Sequence, residues 1–494
     1  MGDDVIATQF TRQDRQRYRA KMKQCLDVFA RMLAESKFDS ERPLTGLEVE
    51  LNLIDQRQAP AMRNTEVLEA IANSDFQTEL AQFNIEINVR PRALAGDAAT
   101  VLETELRDSL NDAEERARAI GAHIVMIGIL PTLDAAHLNA GTLSANPRFA
   151  MLNDQILAAR GEEFHIDIRG PEQLSTFAET IAPEAACTSV QLHLQVSPQA
   201  YADNWNAAQC IAGVQLALGA NSPFFFGKEL WRETRVPLFE QATDTRPVEL
   251  KAQGVRPRVW FGERWITSVF DQFEENVDYF PAMLPLSDDE DPEEVLARGG
   301  TPRLAELRMH NGTIYRWNRP VYDVHRDEPH LRVENRVLPA GPTVVDIVAN
   351  GAFYYGIVRA LAEDDRPIWS AMSFDAARDN FFRGARDGIH AELYWPGVGL
   401  VPATELVLRH LLPMAHEGLS RWGVDSAVQD RLLGIIEQRC VTQVNGAEWQ
   451  VQTFRRLDDA SRPAPREECL RAMLARYVEH MHTNEPVHTW PVGP

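Results

Sequence analysis

The sequence contains few cysteines, and they form no recognisable motif. The five are scattered along 494 residues without a Cys-x-x-Cys pair: Cys25, Cys187, Cys210, Cys440 and Cys469. The N-terminus lacks a basic segment followed by an apolar one, and no uncharged apolar run reaches the roughly 20 residues of a membrane span. These absences argue against a secreted or membrane-spanning protein. We expect a soluble protein of a reducing cytoplasm.

Positive charge is also scarce. Lys and Arg total 50 against 72 for Asp and Glu, which gives a formal net charge of -22. Nucleic acids and anionic membranes repel a chain this acidic, so neither is predicted as a partner. A small molecule, bound together with a metal ion, fits this charge better.

The familiar nucleotide-binding motifs are missing as well. The nearest Gly-Lys pair, Gly227 and Lys228, has the wrong spacing for a P-loop and is not followed by Ser or Thr. Neither a Rossmann glycine fingerprint nor a kinase catalytic loop is present. Any nucleotide must therefore be bound through other groups.

Linkers, low-complexity blocks and fixed-period repeats are absent too. Apolar residues make up 44% and charged residues 25% of the chain, values typical of a globular protein with a substantial core. We predict one large catalytic unit with appended helices. Its parts are an N-terminal helix within residues 1–40, a catalytic domain at 41–400 and a helical C-terminal region at 401–494 with a flexible tail.

The sequence does contain a clearly alternating segment, TGLEVELNLID at residues 45–55. Its period of two places Glu48, Glu50 and Asn52 on one face and leucine and valine side chains on the other. This pattern predicts a β-strand with one polar face. Two carboxylates one pleat apart repel each other unless water, an arginine or a cation lies between them. The strand therefore predicts a ligand-binding surface if other segments supply similar groups.

Four further segments alternate in the same way and are predicted to be strands. Their polar faces carry Asn84, Glu86, Asn88 and Arg90 in 83–91, Gln191, His193 and Gln195 in 189–198, Glu306 and Arg308 in 304–310, and Glu334 and Arg336 in 331–339. The apolar run at 123–131 predicts a buried strand. Apolar spacing predicts helices at 11–36, 66–73, 98–122, about 204–220 and from 346 to about 477. Beyond these, His480, His482 and His488 are expected to be disordered.

The predicted polar faces combine many acids with one imidazole. The acids are Glu48, Glu50, Glu86, Glu306 and Glu334, the imidazole is that of His193, and Glu79 precedes Glu86 by seven residues. Hard oxygen ligands of this kind suit Mg²⁺ or Mn²⁺. Arginines, which bind phosphate well, lie between the acids along the chain: Arg232 or Arg235, Arg308, Arg316, Arg319 and Arg336. Acids for metal and arginines for phosphate together indicate a nucleotide substrate.

The order of these elements resembles the glutamate–cysteine ligase superfamily, especially the bacterial carboxylate–amine ligases of its second family. The resemblance rests on the Gly46-x-Glu48-x-Glu50 strand, the pair Glu79 and Glu86, His193 on its strand, and Glu334-x-Arg336. It implies an α+β fold with a glutamine synthetase-like antiparallel sheet curled into a half-barrel funnel, flanked by helices, and a helical C-terminal part.

By that resemblance the acids divide between two metal sites, and the arginines act on phosphate. Glu48, Glu79 and Glu86 would hold the cation near the amino-acid substrate, and Glu50, His193 and Glu334 the cation near the ATP phosphates. Arg336 and either Arg316 or Arg319 would be catalytic, and Asn88, Gln191, Arg235, Glu306 and Arg308 would contact substrates. Either Glu306/Arg308 or Glu334/Arg336 could be the catalytic Glu-x-Arg pair.

The function implied is that of an ATP-dependent carboxylate–amine ligase with the γ-carboxylate of glutamate as donor. The carboxylate attacks the ATP γ-phosphorus, and an amine then displaces phosphate from the acyl phosphate. The predicted partners are amino-acid and amine substrates. A homo-oligomer is possible on this sequence, and its size is not predicted.

Two other functions use the same residues. A metal-dependent phosphohydrolase would activate water with these acids. A catalytically silent binding or assembly protein would keep only the fold, but the retained acids argue against it.

Overall fold

The computed structural model of the protein describes residues 10–41, 43–459 and 464–493. The strands are β1 (Thr45–Ile54), β2 (Phe76–Thr78), β3 (Asn84–Arg92), β4 (His123–Val125), β5 (Phe164–Arg169), β6 (Gln173–Ala178), β7 (Val190–Val196), β8 (Phe224–Phe225), β9 (Lys228–Glu229), β10 (Val259–Trp260), β11 (Tyr315–Arg316), β12 (Asn318–His325), β13 (Glu328–Asn335), β14 (Glu392–Trp395) and β15 (Gly399–Pro402).

The α-helices are α1 (Arg12–Glu35), α2 (Asn64–Ile71), α3 (Ala98–Ala119), α4 (Pro147–Arg160), α5 (Tyr201–Gly219), α6 (Arg235–Ala242), α7 (Val248–Ala252), α8 (Val269–Tyr279), α9 (Pro292–Ala297), α10 (Ala305–Asn311), α11 (Val344–Ala362), α12 (Phe374–Asp387), α13 (Ala403–Leu406), α14 (Leu412–Trp422), α15 (Ser426–Thr442), α16 (Gly446–Asp458) and α17 (Arg466–Thr483).

A seven-stranded sheet forms the centre of the fold. Its strand order is β12–β13–β7–β1–β3–β2, and β4 pairs with the end of β1. Every pairing in it is antiparallel. The sheet curls into a half-barrel flanked by helices, as the sequence predicted. Because β1 lies in the middle, side chains on its polar face have neighbours on both sides.

The alternation of β1 explains why the sheet has two different faces. Leu47, Val49, Leu51 and Leu53 are at most 4% exposed and pack into the core on the outer face. Helix α11 is fixed to that face, where the Tyr355 hydroxyl donates to the carbonyls of Gly46 (3.2 Å) and His193 (3.1 Å). The polar side chains of β1 are left to face the inside of the half-barrel.

Helix α11 is also the one described helix that is long and apolar enough to span a membrane. Inside this fold 94% of its most apolar window is buried. That is the environment of a core helix in a packed domain.

The segment at 304–310 forms helix α10, and the prediction of a strand there is wrong. Its buried positions recur at three- and four-residue intervals, which is a helical repeat: Glu306, Leu307, His310 and Asn311 are at most 6% exposed. Glu306 and Arg308 flank Leu307 and also produce an alternation. A segment this short satisfies both periods, and packing against α1 decides between them.

Three smaller predictions also need correction. The apolar run at 123–131 is a strand only at His123–Val125, and the hairpin of β14 and β15 interrupts the helices that follow α11. His480 and His482 belong to α17, and His488 lies in a 3₁₀ turn at Val487–Thr489, so the prediction that these three are disordered is wrong. Beyond that helix, the Trp490 ring packs edge-on against Trp449 at 5.2 Å between centroids. Burial of these large rings orders the described end of the chain.

Candidate active site

Strand register brings the predicted polar residues together on the inner face of the sheet. The cross-strand pairs are Glu50 with Glu86, Glu48 with Asn88 and with Gln191, and His193 with Glu334. Side chains directly opposite each other in a sheet lie close together. Segments far apart in the sequence therefore build one continuous polar surface.

Three carboxylates on this surface form an acidic cluster made of Glu50, Glu79 and Glu86. Their oxygens lie within 4.8 Å of one another. Burial raises the pKa of Glu79 to about 7, and the neighbouring Glu50 carboxylate adds to the rise. Burial also raises the pKa of Glu50 and of Glu86. The three acids cannot all ionise together without a compensating cation.

Hydrogen bonds hold the cluster in position. Glu50 accepts from the backbone N–H of Ser189 (2.7 Å) and from Gln191 Nε2 (3.0 Å). Asn88 Nδ2 donates to Glu86 Oε1 (2.8 Å). Gln191 and Asn88 were predicted to contact substrate, and the structure places both amides against these carboxylates, where they orient the acids.

The structure groups the acids differently from the expectation. Glu50 lies with Glu79 and Glu86, where Glu48 was expected, because the β1–β3 register sets Glu50 directly opposite Glu86. Glu48 lies one pair along the strand, with its Oε1 3.1 Å from His193 Nε2. Alternation shows that Glu48 and Glu50 share a face, but only the strand register decides which partner each one meets.

His193 is held by an arginine that the sequence analysis did not select. Arg332 Nε donates to His193 Nδ1 (3.2 Å). Since a guanidinium has no acceptor, Nδ1 is unprotonated in this arrangement and Nε2 carries the hydrogen. Nε2 is buried near Glu48 but is not aligned for a hydrogen bond. Ligation of a cation through Nε2 would therefore require that the hydrogen moves and the Arg332 contact breaks.

Two arginines form ion pairs with Glu334. Arg319 Nε lies 2.6 Å from Glu334 Oε2, and Arg336 Nη1 lies 3.0 Å from Oε1. Burial raises the pKa of Glu334, but the charges of Arg319 and Arg336 outweigh it and hold that pKa well below its usual range. Glu334 therefore stays ionised and keeps both guanidinium groups in place.

A cavity of about 80 Å³ is lined by both acids and arginines. Glu50 and Glu79 line it together with Arg235 and Arg336. Arg235 is held by Glu233, whose Oε1 accepts from Arg235 Nε at 3.0 Å. A cavity lined by both carboxylates and guanidinium groups suits an anion that arrives with a metal ion.

Three predicted site residues lie elsewhere. Glu306 on α10 pairs with Lys21 of α1 at 3.2 Å, and Arg308 pairs with Asp323 at 2.8 Å. Arg316 is buried, with its Nη2 2.9 Å from Glu275 Oε2. Of the alternatives left open, Arg319 and the pair Glu334/Arg336 are the ones that lie with the acids.

Two side chains at the site were missed from the sequence. Arg332 lies two residues before Glu334 and shares its strand face, so the alternation of β13 already marks it. Glu184 also lines the cavity, from a 3₁₀ turn at Ala182–Ala186. No periodic pattern marks a single acid in such a turn.

The family model of glutamate–cysteine ligase family 2 matches residues 44–450, a span that includes every residue of this site. The chain belongs to this family. Membership makes it an ATP-dependent ligase of the carboxylate–amine type. No curated protein sequence matches the chain.

Two solved structures are similar to this chain. The glutamate–cysteine ligase of Francisella tularensis, solved with AMP, is 12% identical, with 92% of this chain and 96% of that one covered and a TM-score of 0.55. A bifunctional glutathione synthetase from Pasteurella multocida is 11% identical, with 94% and 54% covered and a TM-score of 0.46. The first likeness confirms the predicted curled sheet with flanking helices.

The residues at this family member's site fit a divalent cation. The acidic cluster offers three oxygen ligands at mutual distances that one ion can bridge, and burial and the neighbouring carboxylates raise the pKa of Glu79 and Glu86. A bound Mg²⁺ or Mn²⁺ would neutralise ATP phosphates.

We expect Mg²⁺ to stabilise the protein more at high pH than at low pH. The pKa of Glu79, about 7 when folded, lies above the value of 4.5 for a free glutamate. Its contribution to stability is therefore present below pH 4.5 and is lost as the pH rises through about 7. The melting temperature in EDTA should fall between about pH 5 and about pH 7, and Mg²⁺ should reverse that fall. Equal stabilisation by Mg²⁺ at both pH values, with sodium chloride of matched ionic strength as control, would contradict this expectation.

Proposed function

We propose that the protein joins the γ-carboxylate of glutamate to an amine in an ATP-dependent reaction. The observation that supports this most is the position of Arg336, which is bound to Glu334 and lines the same cavity as Glu50 and Glu79 of the acidic cluster. Two anions, the donor carboxylate and the ATP phosphates, have to approach each other in such a reaction. Carboxylates that hold cations and guanidinium groups that hold phosphate make that approach favourable.

The reaction has two steps. A donor carboxylate oxygen bonds to the γ-phosphorus while the bond from that phosphorus to the ADP oxygen breaks. The amine nitrogen then bonds to the acyl carbon, the carbon–oxygen bond to phosphate breaks, and the amine loses a proton. Arg336 and Arg319 stabilise the charge on the phosphoryl oxygens as it is transferred.

Covalent catalysis by the protein is not part of this proposal. Cys187 lines the cavity, but burial raises the pKa of its thiol well above the usual value. A thiol that stays protonated is a poor nucleophile. Positioning and charge compensation are sufficient for the two steps.

We expect glutamate to stimulate ADP release in the presence of Mg²⁺ and an amine. The test measures ADP with glutamate and a panel of amines, and uses hydroxylamine to trap the acyl phosphate as a hydroxamate. Glutamyl hydroxamate would support the proposed donor, and a hydroxamate from another carboxylate in the panel would replace it. ADP release that needs neither carboxylate nor amine would favour the phosphohydrolase.

That the protein is cytoplasmic and that it forms a homo-oligomer are still predictions from the sequence.

A further inference from the structure

One carboxylate in the cavity has no role in the scheme above. Glu184 lines the cavity together with Glu50, Glu79, Arg235 and Arg336. Its Oε2 is buried and has no hydrogen-bond partner among the residues that the structure describes. A buried carboxylate oxygen without a partner costs free energy, so it marks a place where a ligand can supply the missing contact.

The backbone around Glu184 is well anchored. Its carbonyl accepts from the Cys187 N–H at 2.8 Å, and its own N–H donates to the Ile181 carbonyl at 2.9 Å. Ala182 and Ala185 of the same turn are 0% and 5% exposed. The turn therefore presents the carboxylate from a fixed position, as a specificity-determining residue requires.

A cation is the ligand that this carboxylate would favour. Burial raises the pKa of Glu184 to about 8; Arg336 opposes the rise, and the Glu79 and Glu50 carboxylates add to it. The charged form is thus costly in the free protein, and a positive group beside it would offset that cost. Metal binding is already accounted for by Glu50, Glu79 and Glu86, whose oxygens converge within 4.8 Å. A single carboxylate outside that cluster suits an ammonium group, which needs one close anionic acceptor.

We propose that Glu184 binds the ammonium group of a substrate and so selects substrates that carry one. This inference rests on the proposed function, in which two ammonium groups enter the site. One is the α-ammonium of the donor amino acid, and the other belongs to the acceptor amine before it loses its proton.

The first test measures binding and needs no turnover. Calorimetric titrations compare glutamate with glutarate, which lacks the ammonium group, and also use methylammonium chloride, on the wild type and on Glu184→Gln. We expect the variant to bind glutamate or methylammonium about 10-fold more weakly and to bind glutarate as the wild type does. The assignment would be overturned if the variant bound all three compounds as tightly as the wild type does. It would also be overturned if the variant lost as much affinity for glutarate as for glutamate.

The second test separates the two substrates. With hydroxylamine as a neutral acceptor, a donor role for Glu184 predicts that the KM for glutamate rises about 10-fold in the variant, while that for glutarate is unchanged. An acceptor role predicts unchanged hydroxamate formation and about 10-fold slower amide formation with the amines of the panel.

Glu240 provides a matched control for Glu184. Glu240, whose pKa burial also raises to about 8, lines a different cavity, and Glu240→Gln should change none of these values. If the wild type forms no hydroxamate from any carboxylate, the proposed function fails, and the calorimetric comparison still decides the role of Glu184.

Discussion

Replacement of Glu79 by glutamine is expected to abolish turnover and, at the same time, to stabilise the metal-free protein. Glu79 contributes one of three carboxylates to the acidic cluster. Loss of its charge weakens a bound cation, and we expect kcat/KM to fall about 100-fold or more. In the metal-free protein the raised pKa of Glu79 shows that its ionised form is unfavourable. Glutamine has the shape of the protonated acid and removes that penalty.

The two effects of Glu79→Gln are measured under different conditions. Steady-state rates are taken at saturating Mg²⁺, and the melting temperature is taken in EDTA at about pH 8, where the wild-type carboxylate is mostly ionised. Glu105, which is 58% exposed and pairs with Arg92, provides the control, since Glu105→Gln should change neither quantity. A melting temperature that falls together with the rate would show that Glu79 supports the fold. A near wild-type rate would remove Glu79 from the metal site.

Much of the sheet could be predicted because its strands have one buried and one polar face. The alternation at 45–55, 83–91 and 189–198 marks β1, β3 and β7 within a few residues. The same signal failed at 304–310, since Glu306 and Arg308 alternate with apolar residues on a helix. Strand β12 was not predicted, yet it supplies Arg319, which contacts Glu334.

The grouping of the site residues could be predicted less well than their identity. Glu48 and Glu50 carry the same local signal, and only the pairing of β1 with β3 and β7 assigns Glu50 to the acidic cluster and Glu48 to His193. Register depends on contacts between segments far apart in the chain. Glu184 could not be predicted as a site residue, because a short 3₁₀ turn has no periodic pattern of apolar and polar residues that would mark it.

The change of Arg336 to lysine is expected to keep ATP binding and to lower turnover about 100-fold or more, which corresponds to about 3 kcal/mol of transition-state stabilisation. Arg336 Nη1 is bound to Glu334, and the side chain also lines the cavity. A guanidinium has further N–H donors in one plane and can contact phosphoryl oxygens while it keeps Glu334. A lysine ammonium supplies the charge but not this forked geometry.

Arg298→Lys is the matched control for this change. Arg298 is 77% exposed and pairs with Glu294 on the surface, so its replacement should leave kcat and KM unchanged. Single-turnover rates separate the steps, because Arg336→Lys should slow acyl-phosphate formation without raising the Kd for ATP. A rise in that Kd with an unchanged rate would place Arg336 in ground-state binding of ATP.

Isotope transfer in the wild type tests the step in which Arg336 is proposed to act. If the donor carboxylate attacks the γ-phosphorus, ¹⁸O in that carboxylate has to appear in the released phosphate, because the acyl phosphate passes one oxygen on when the amine displaces it. A hydrolase would instead place solvent oxygen in the phosphate. Amide product without labelled phosphate would exclude the acyl phosphate, and Arg336 would then need a different role. If labelled phosphate forms in Arg336→Lys at the same reduced rate as turnover, the Arg336 guanidinium acts in the phosphoryl-transfer step.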